Sequence, residues 1–175
     1  MIENNWITLV KPNKVDYKIS DNKKFGTVVI EPLEKGFGTT LGNALRRVLL
    51  SSLQGTAISS IKINGVLHEF STIEGVREDV TDIIMNLKNV TFNSKSNHTQ
   101  KLSLNVKGPK EVLSSDFEEN PEVEIVDKDA VIMNVDSNRE VNLEIFLDVN
   151  KGYISAEKNK DNENKSVGQI MLDAT

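Results

Sequence analysis

The 175-residue chain has no cysteine and only two histidines, His68 and His98. Without cysteine, disulfide frameworks, cysteine–zinc sites and cysteine nucleophiles are excluded, and two histidines leave little room for histidine-based metal or triad chemistry. No apolar run approaches the ~18 residues that a membrane span requires, and the first residues lack the basic start and apolar stretch of a signal peptide. We therefore expect a soluble cytoplasmic protein with no metal, no cofactor and no membrane contact.

Positive charge is also scarce. The 21 lysines and arginines are outnumbered by 26 aspartates and glutamates, which gives a net charge of −5 and an isoelectric point near 5.2. This balance argues against a chain whose main task is to coat nucleic acid. Apolar residues make up 38% of the chain, which is enough to build a core and excludes wholesale disorder.

The clearest secondary-structure signal is a helix in the segment TTLGNALRRVLLSS. Its apolar residues recur at the spacing of one helical face: Leu41, Ala44, Leu45, Val48 and Leu49. Thr39 or Thr40 is expected to cap its N-terminus. On a helical wheel Leu50 falls roughly 180° from Leu41, between Arg46 and Arg47.

The face that carries Arg46, Arg47 and Leu50 has two interpretations. Arginine is enriched at binding hot spots, so this face could bind a protein partner. Alternatively, both arginines are ordinary solvated residues and Leu50 packs under a neighbouring loop, since single exposed leucines are common.

The rest of the pattern predicts an α+β fold with mostly antiparallel strands. We expect a hairpin at 57–70 around the turn Asn64-Gly65, and a second helix from about Val76 to Lys88. Strands are predicted at 24–33, 102–106, 123–127, 130–135, 141–147 and 167–175. The stretch from Glu157 to Lys165 has no apolar residue and is expected to be a loop.

No catalytic constellation stands out. The segment GFGTTLG precedes a helix and could bind phosphate, but it matches neither the Walker nor the dinucleotide-binding pattern. His68-Glu69 is read as a cross-strand polar pair, and the carboxylates near the second helix are read as a solvated face: Glu74, Glu78, Asp79 and Asp82. The sequence therefore argues against an enzyme acting alone.

The run EPLEKGFGTTLGNALRRVLLSS at 31–52 closely resembles the signature of the bacterial DNA-directed RNA polymerase alpha subunit. The resemblance continues through INGVLHEFST at 63–72 and NLK at 86–88, and it ends in LDA at 172–174. It implies the amino-terminal domain of that subunit, truncated before a second helix, a linker and a DNA-binding domain.

This resemblance implies a dimerisation subdomain of mixed strands and a long helix, into which a β-rich subdomain is inserted. Residues 1–54 and 170–175 would form the incomplete dimerisation and assembly subdomain, and residues 55–169 the insert. The implied role is a non-catalytic assembly subunit within the nucleotidyltransferase complex, with no direct DNA contact from this region. The alternative, from the residues alone, is a small phosphate- or nucleotide-binding protein that uses the GFGTTLG loop.

The resemblance also implies partners and site residues. Two alpha subunits form a homodimer that recruits the beta and then the beta-prime subunit. In the family the second helix packs beside the first to make the homodimer, and a chain truncated before that helix would lack this contact. Arg47 matches the helix arginine that engages beta, with Arg46 and Leu50 beside it. Lys88 and Leu172 would lie on the beta-prime side. The implied dimerisation and core residues are Phe37, Leu41, Leu45 and Val48.

Overall fold

The computed structural model describes residues 8–21, 25–136, 138–162 and 168–174. Within it the chain divides into two compact units, Met1–Leu50 and Ser51–Thr175. The described residues form a strand-rich α+β structure, as the sequence pattern predicts. The predicted subdomain bounds, 1–54 with 170–175 and 55–169, stay a prediction.

The first unit contains a two-stranded antiparallel hairpin and a helix. Strand β1 (Lys14–Ile19) pairs with β2 (Gly26–Glu31), and Lys14 lies opposite Glu31. The strand predicted at 24–33 is confirmed over β2. Ser20 closes the hairpin, because its N–H donates to the carbonyl of Phe25 at 2.8 Å.

Helix α1 (Phe37–Ser51) confirms the strongest helical signal, although its start was predicted too late. Gly36 has a φ of +90°, a conformation that glycine adopts without strain, and the helix begins at the next residue. Thr39 and Thr40 therefore lie inside the first turn and are not the N-cap. The Thr40 hydroxyl instead donates to the carbonyl of Gly36 at 3.4 Å.

The second unit is built on a six-stranded antiparallel sheet. Its strand order is β5 (Gln100–Lys107), β9 (Glu140–Lys151), β3 (Gln54–Ile63), β4 (Phe92–Ser94) and β7 (Val123–Ile125), and β10 (Gln169–Met171) also pairs with β3. A separate pair joins β6 (Lys110–Leu113) to β8 (Val131–Val135). These strands confirm the predictions that rested on apolar alternation. In β9, for example, the alternate residues Val141, Leu143, Ile145 and Leu147 are buried.

Helix α2 (Val80–Lys88) covers this core with Val80, Ile83, Ile84 and Leu87, all buried. The prediction started it at Val76, which was four residues too early. Asp79 is the N-cap, since its carboxylate accepts a hydrogen bond from the N–H of Asp82 at 2.7 Å. The predicted helix end at Lys88 is confirmed.

The predicted hairpin at 57–70 is wrong. Asn64-Gly65 does form a tight turn, with Gly65 at a φ of +83° and the N–H of Val66 donating to Ile63. Residues 66–70 form no strand: Val66 is buried, whereas Leu67 and Phe70 are exposed. β3 pairs instead with the distant β9, whose apolar alternation matches its own.

The loop predicted at 157–165 is corrected over its first part, where α3 (Ala156–Asn162) forms; residues 163–165 lie outside the described residues. Asn159 explains why so polar a segment becomes helical. Its side chain is buried and donates to the carbonyl of Leu172 at 2.8 Å, which attaches α3 to the segment after β10.

Candidate subunit-contact surfaces

The first candidate surface is α1, which presents an apolar face with no cover in the described part of its unit. None of its residues is buried. Phe37, Leu45 and Val48 are exposed, and Leu41 is half-buried. A helix whose apolar stripe stays in water is unfavourable by itself, because each apolar side chain forgoes burial.

The opposite face of α1 carries the arginine-flanked leucine that the helical wheel singled out. Arg46 and Arg47 are exposed, and Leu50 is 63% exposed. The structure thus brings these three residues together on one helix near its C-terminal end. Within the described part of its own unit, Leu50 is not packed under a loop.

The second candidate surface lies in the second unit, at the C-terminus of α2. The Lys88 ammonium donates to the Asp173 carboxylate at 2.7 Å. This hydrogen bond lowers the pKa of Asp173 below its ordinary value, and it outweighs the opposing effect of partial burial. Lys88 also lies where the helix dipole favours a positive charge.

A hollow of about 230 Å³ adjoins this ion pair. Ile58, Leu87 and Phe92 contribute apolar walls, while Lys88 and Asp173 contribute the charged part of its lining. Sequence reasoning missed Asp173, although it stands beside Leu172. A sequence cannot show this pairing, since 85 residues separate the two partners.

Leu172 has a different position from Lys88. It is only 6% exposed and packs into the core, so its side chain is not available at the surface. Its N–H donates to the carbonyl of Ser59 at 2.8 Å, and its carbonyl accepts from Asn159. Leu172 therefore anchors the segment that presents Asp173.

The other polar candidates have structural partners. His68 is in the loop after β3 and not in a strand, and its Nδ1 lies 3.0 Å from the Ser71 hydroxyl. The reading of His68-Glu69 as a cross-strand pair is therefore wrong. Glu78 accepts two hydrogen bonds from Asn134, so it is part of the fold and not of a solvated face.

In the described ranges, no three histidine, aspartate or glutamate side chains converge in a way that could hold a metal ion. Nor does any helix in these ranges have the length and apolar character needed to cross a bilayer. The glycines of GFGTTLG after Gly36 lie within α1, so the segment forms helix and not a phosphate-cradling loop.

Together, these features describe a strand-rich α+β domain with exposed surfaces suited to contact with other proteins. Residues 61–175 match the family model described as the RNA polymerase Rpb3/RpoA insert domain. Since the match covers more than half of the chain, the chain belongs to this family. The match supports a role as an RNA polymerase subunit in transcription, in agreement with the alpha-type resemblance of the sequence.

Proposed function

We propose that this chain is a non-catalytic assembly subunit of a bacterial DNA-directed RNA polymerase, acting in the cytoplasm. It dimerises and provides a scaffold for the beta and beta-prime subunits. The observation that carries the proposal is the uncovered amphipathic helix α1, in a chain that belongs to a polymerase-subunit family. A helix of this kind gains stability when another chain buries its apolar face.

The two faces of α1 have separate roles in this proposal. Phe37, Leu41, Leu45 and Val48 form the dimerisation face and become part of a core only when the dimer forms, because they lie along one stripe that the described part of their unit leaves uncovered. Arg46, Arg47 and Leu50 bind the beta subunit, because two guanidinium groups beside an apolar side chain combine hydrogen-bonding and burial energy. In this proposal residues 1–54 and 170–175 form the assembly subdomain.

The beta-prime side is proposed to lie in the second unit, with Lys88 in the proposed insert at 55–169 and Leu172 in the returning segment at 170–175. Lys88 supplies the accessible charge, and Leu172 supports it from the core. No direct DNA contact is assigned to either unit. The phosphate-binding alternative is not supported, because its glycine segment is helical.

The test is co-purification of the intact subunit with the matching beta subunit, comparing wild type with Arg47→Ala. Arg139→Ala is the matched control, since Arg139 is also exposed and pairs with the exposed Glu74. We expect Arg47→Ala to weaken beta binding by about 2 kcal/mol or more, as truncation of a hot-spot arginine does. Arg139→Ala should leave binding unchanged.

Thermal unfolding distinguishes binding from structure in the same variants. We expect Arg47→Ala to change the free energy of unfolding by less than about 0.5 kcal/mol, since surface substitutions rarely do more. Equal retention of all three proteins would refute the beta-binding role of Arg47. A large fall in Tm for Arg47→Ala would make Arg47 a structural residue.

A further inference from the structure

The backbone on both sides of Asp173 is fixed. The N–H of Leu172 donates to Ser59 at 2.8 Å, and Ala174 exchanges two backbone hydrogen bonds of 2.9 Å with Ile154. Asp173 therefore projects from a segment that is paired immediately before and after it. Its carboxylate has a defined place on the surface of the second unit.

Lys88 differs from Asp173 in this respect. Its backbone belongs to the last turn of α2, but its ammonium stands at the end of a flexible four-carbon stem. Holding such a side chain in one conformation costs entropy, which a partner would otherwise have to offset on binding. The 2.7 Å hydrogen bond to Asp173 selects one position of the ammonium before any partner arrives.

That position lies at the hollow of about 230 Å³ whose apolar walls include Leu87 and Phe92. The ammonium has three donors, and one of them is used by Asp173 Oδ1. The Lys88 side chain is 31% exposed, so part of it is open to solvent. A carboxylate of a docking protein could therefore bind the positioned Lys88 ammonium beside the apolar walls of the hollow.

We propose that Asp173 is a positioning residue that fixes the Lys88 ammonium at this hollow for a carboxylate of the adjoining polymerase subunit. The proposal rests on the proposed function, because it takes Lys88 as a contact to the beta-prime side. Asp173 itself acts through Lys88 and contacts no partner in this arrangement.

The test is a double-mutant cycle on the intact subunit, using Lys88→Met, Asp173→Asn and both together. Affinity for the purified beta and beta-prime subunits is measured by competition with wild type, and Tm is recorded for every variant. The matched control is the exposed pair Lys101–Glu144 on β5 and β9, tested as Lys101→Met and Glu144→Gln. A further variant exchanges the charges, as Lys88→Asp with Asp173→Lys.

We expect Asp173→Asn to weaken binding about threefold to tenfold and Lys88→Met at least as much. The double variant should bind no more weakly than Lys88→Met, because Asp173 has nothing left to position. The exchanged variant should keep a Tm within about 3 °C of wild type yet bind as weakly as Lys88→Met. The control variants should bind like wild type.

Other outcomes overturn the proposal in distinguishable ways. If Lys88→Met weakens binding and Asp173→Asn does not, Lys88 remains a contact but Asp173 does not position it. If the two losses are additive, or the exchanged variant binds like wild type, the fixed ammonium is not what the partner recognises. If Lys88→Met binds normally, the beta-prime side of the proposed function is itself wrong at this site.

Discussion

Replacing Glu78 by glutamine tests how the loop before α2 is attached to strand β8. Glu78 accepts one hydrogen bond from the backbone N–H of Asn134 at 2.6 Å and a second from its side-chain amide at 2.8 Å. The carboxylate of Glu78 thus joins the loop before α2 to β8 through Asn134. Beside it, the N–H of Arg77 donates to the carbonyl of Asn134 at 3.0 Å.

The expected cost follows from this geometry. A glutamine at position 78 keeps one acceptor oxygen but turns an NH₂ group towards the second donor. One charge-assisted hydrogen bond is lost, worth about 1.5–3 kcal/mol, and a donor is left without an acceptor. Because the site is only partly buried, water relieves part of this penalty, and we expect a loss of about 2 kcal/mol. For a unit of this size that lowers Tm by about 6–10 °C.

The effect should depend on pH with a definite sign. Partial burial raises the pKa of Glu78, but the hydrogen bonds from Asn134 and the charge of Arg77 outweigh it, so the pKa lies below its ordinary value of 4.5. A carboxyl with a lowered folded pKa contributes its stability above the unfolded pKa and loses it as pH falls through the folded pKa. Glu78→Gln and wild type should therefore differ fully at pH 7 and converge below about pH 4.5.

The assay is urea unfolding followed by circular dichroism at pH 7 and at several lower values. Glu119→Gln is the control, since Glu119 is exposed and has no ion pair with another described residue. In wild type the amide proton shift of Asn134 should titrate with Glu78. The reasoning would be refuted if Glu78→Gln were as stable as Glu119→Gln at pH 7. It would also be refuted if the difference in unfolding free energy between Glu78→Gln and wild type grew on acidification.

Two further changes test the core and the proposed dimer. Ile61→Ala removes a fully buried side chain of β3 and should lower the free energy of unfolding of the second unit by about 3–4 kcal/mol in urea. The control Val126→Ala, at an exposed position, should lower it by less than about 1 kcal/mol. Similar losses for the two variants would contradict the assigned core. Leu45→Glu should weaken self-association at least about tenfold in sedimentation, while Met85→Glu, on an exposed part of α2, should not. If Leu45→Glu and Met85→Glu both self-associate as wild type does, Leu45 is not part of the dimer interface.

Periodicity predicted the elements whose own residues decide their conformation. β5 alternates between polar and apolar residues from Lys101 to Lys107, and β9 does so from Glu140 to Val149 except at Phe146; each is a strand with one buried face. The α1 and α2 stripes recur at helical spacing, and both segments are helices. In these cases the spacing of the segment's own apolar residues is enough to indicate whether it is helix or strand.

The errors arose where a distant residue decides the outcome. The turn at Asn64-Gly65 is a strong local hairpin signal, yet β3 pairs with β9, in a register that runs from Gln54–Lys151 to Ile63–Leu143. The polar segment of α3 is helical where Asn159 bonds to Leu172. Likewise, the place of Asp173 beside Lys88 depends on β10 pairing with β3. Such contacts have no periodic trace in the sequence.

The two amphipathic helices show the limit of the pattern most directly. α2 buries Val80, Ile83, Ile84 and Leu87 because β8 and β3 lie beside it in the same unit. α1 has an equally clear apolar stripe, but no residue of it is buried in the described structure. Periodicity identifies the face of a helix that avoids water; it does not identify the surface that covers it. In the proposed function that surface comes from other polypeptides, so amide exchange in α1 should slow on assembly while exchange in α2, already protected within its own unit, stays the same.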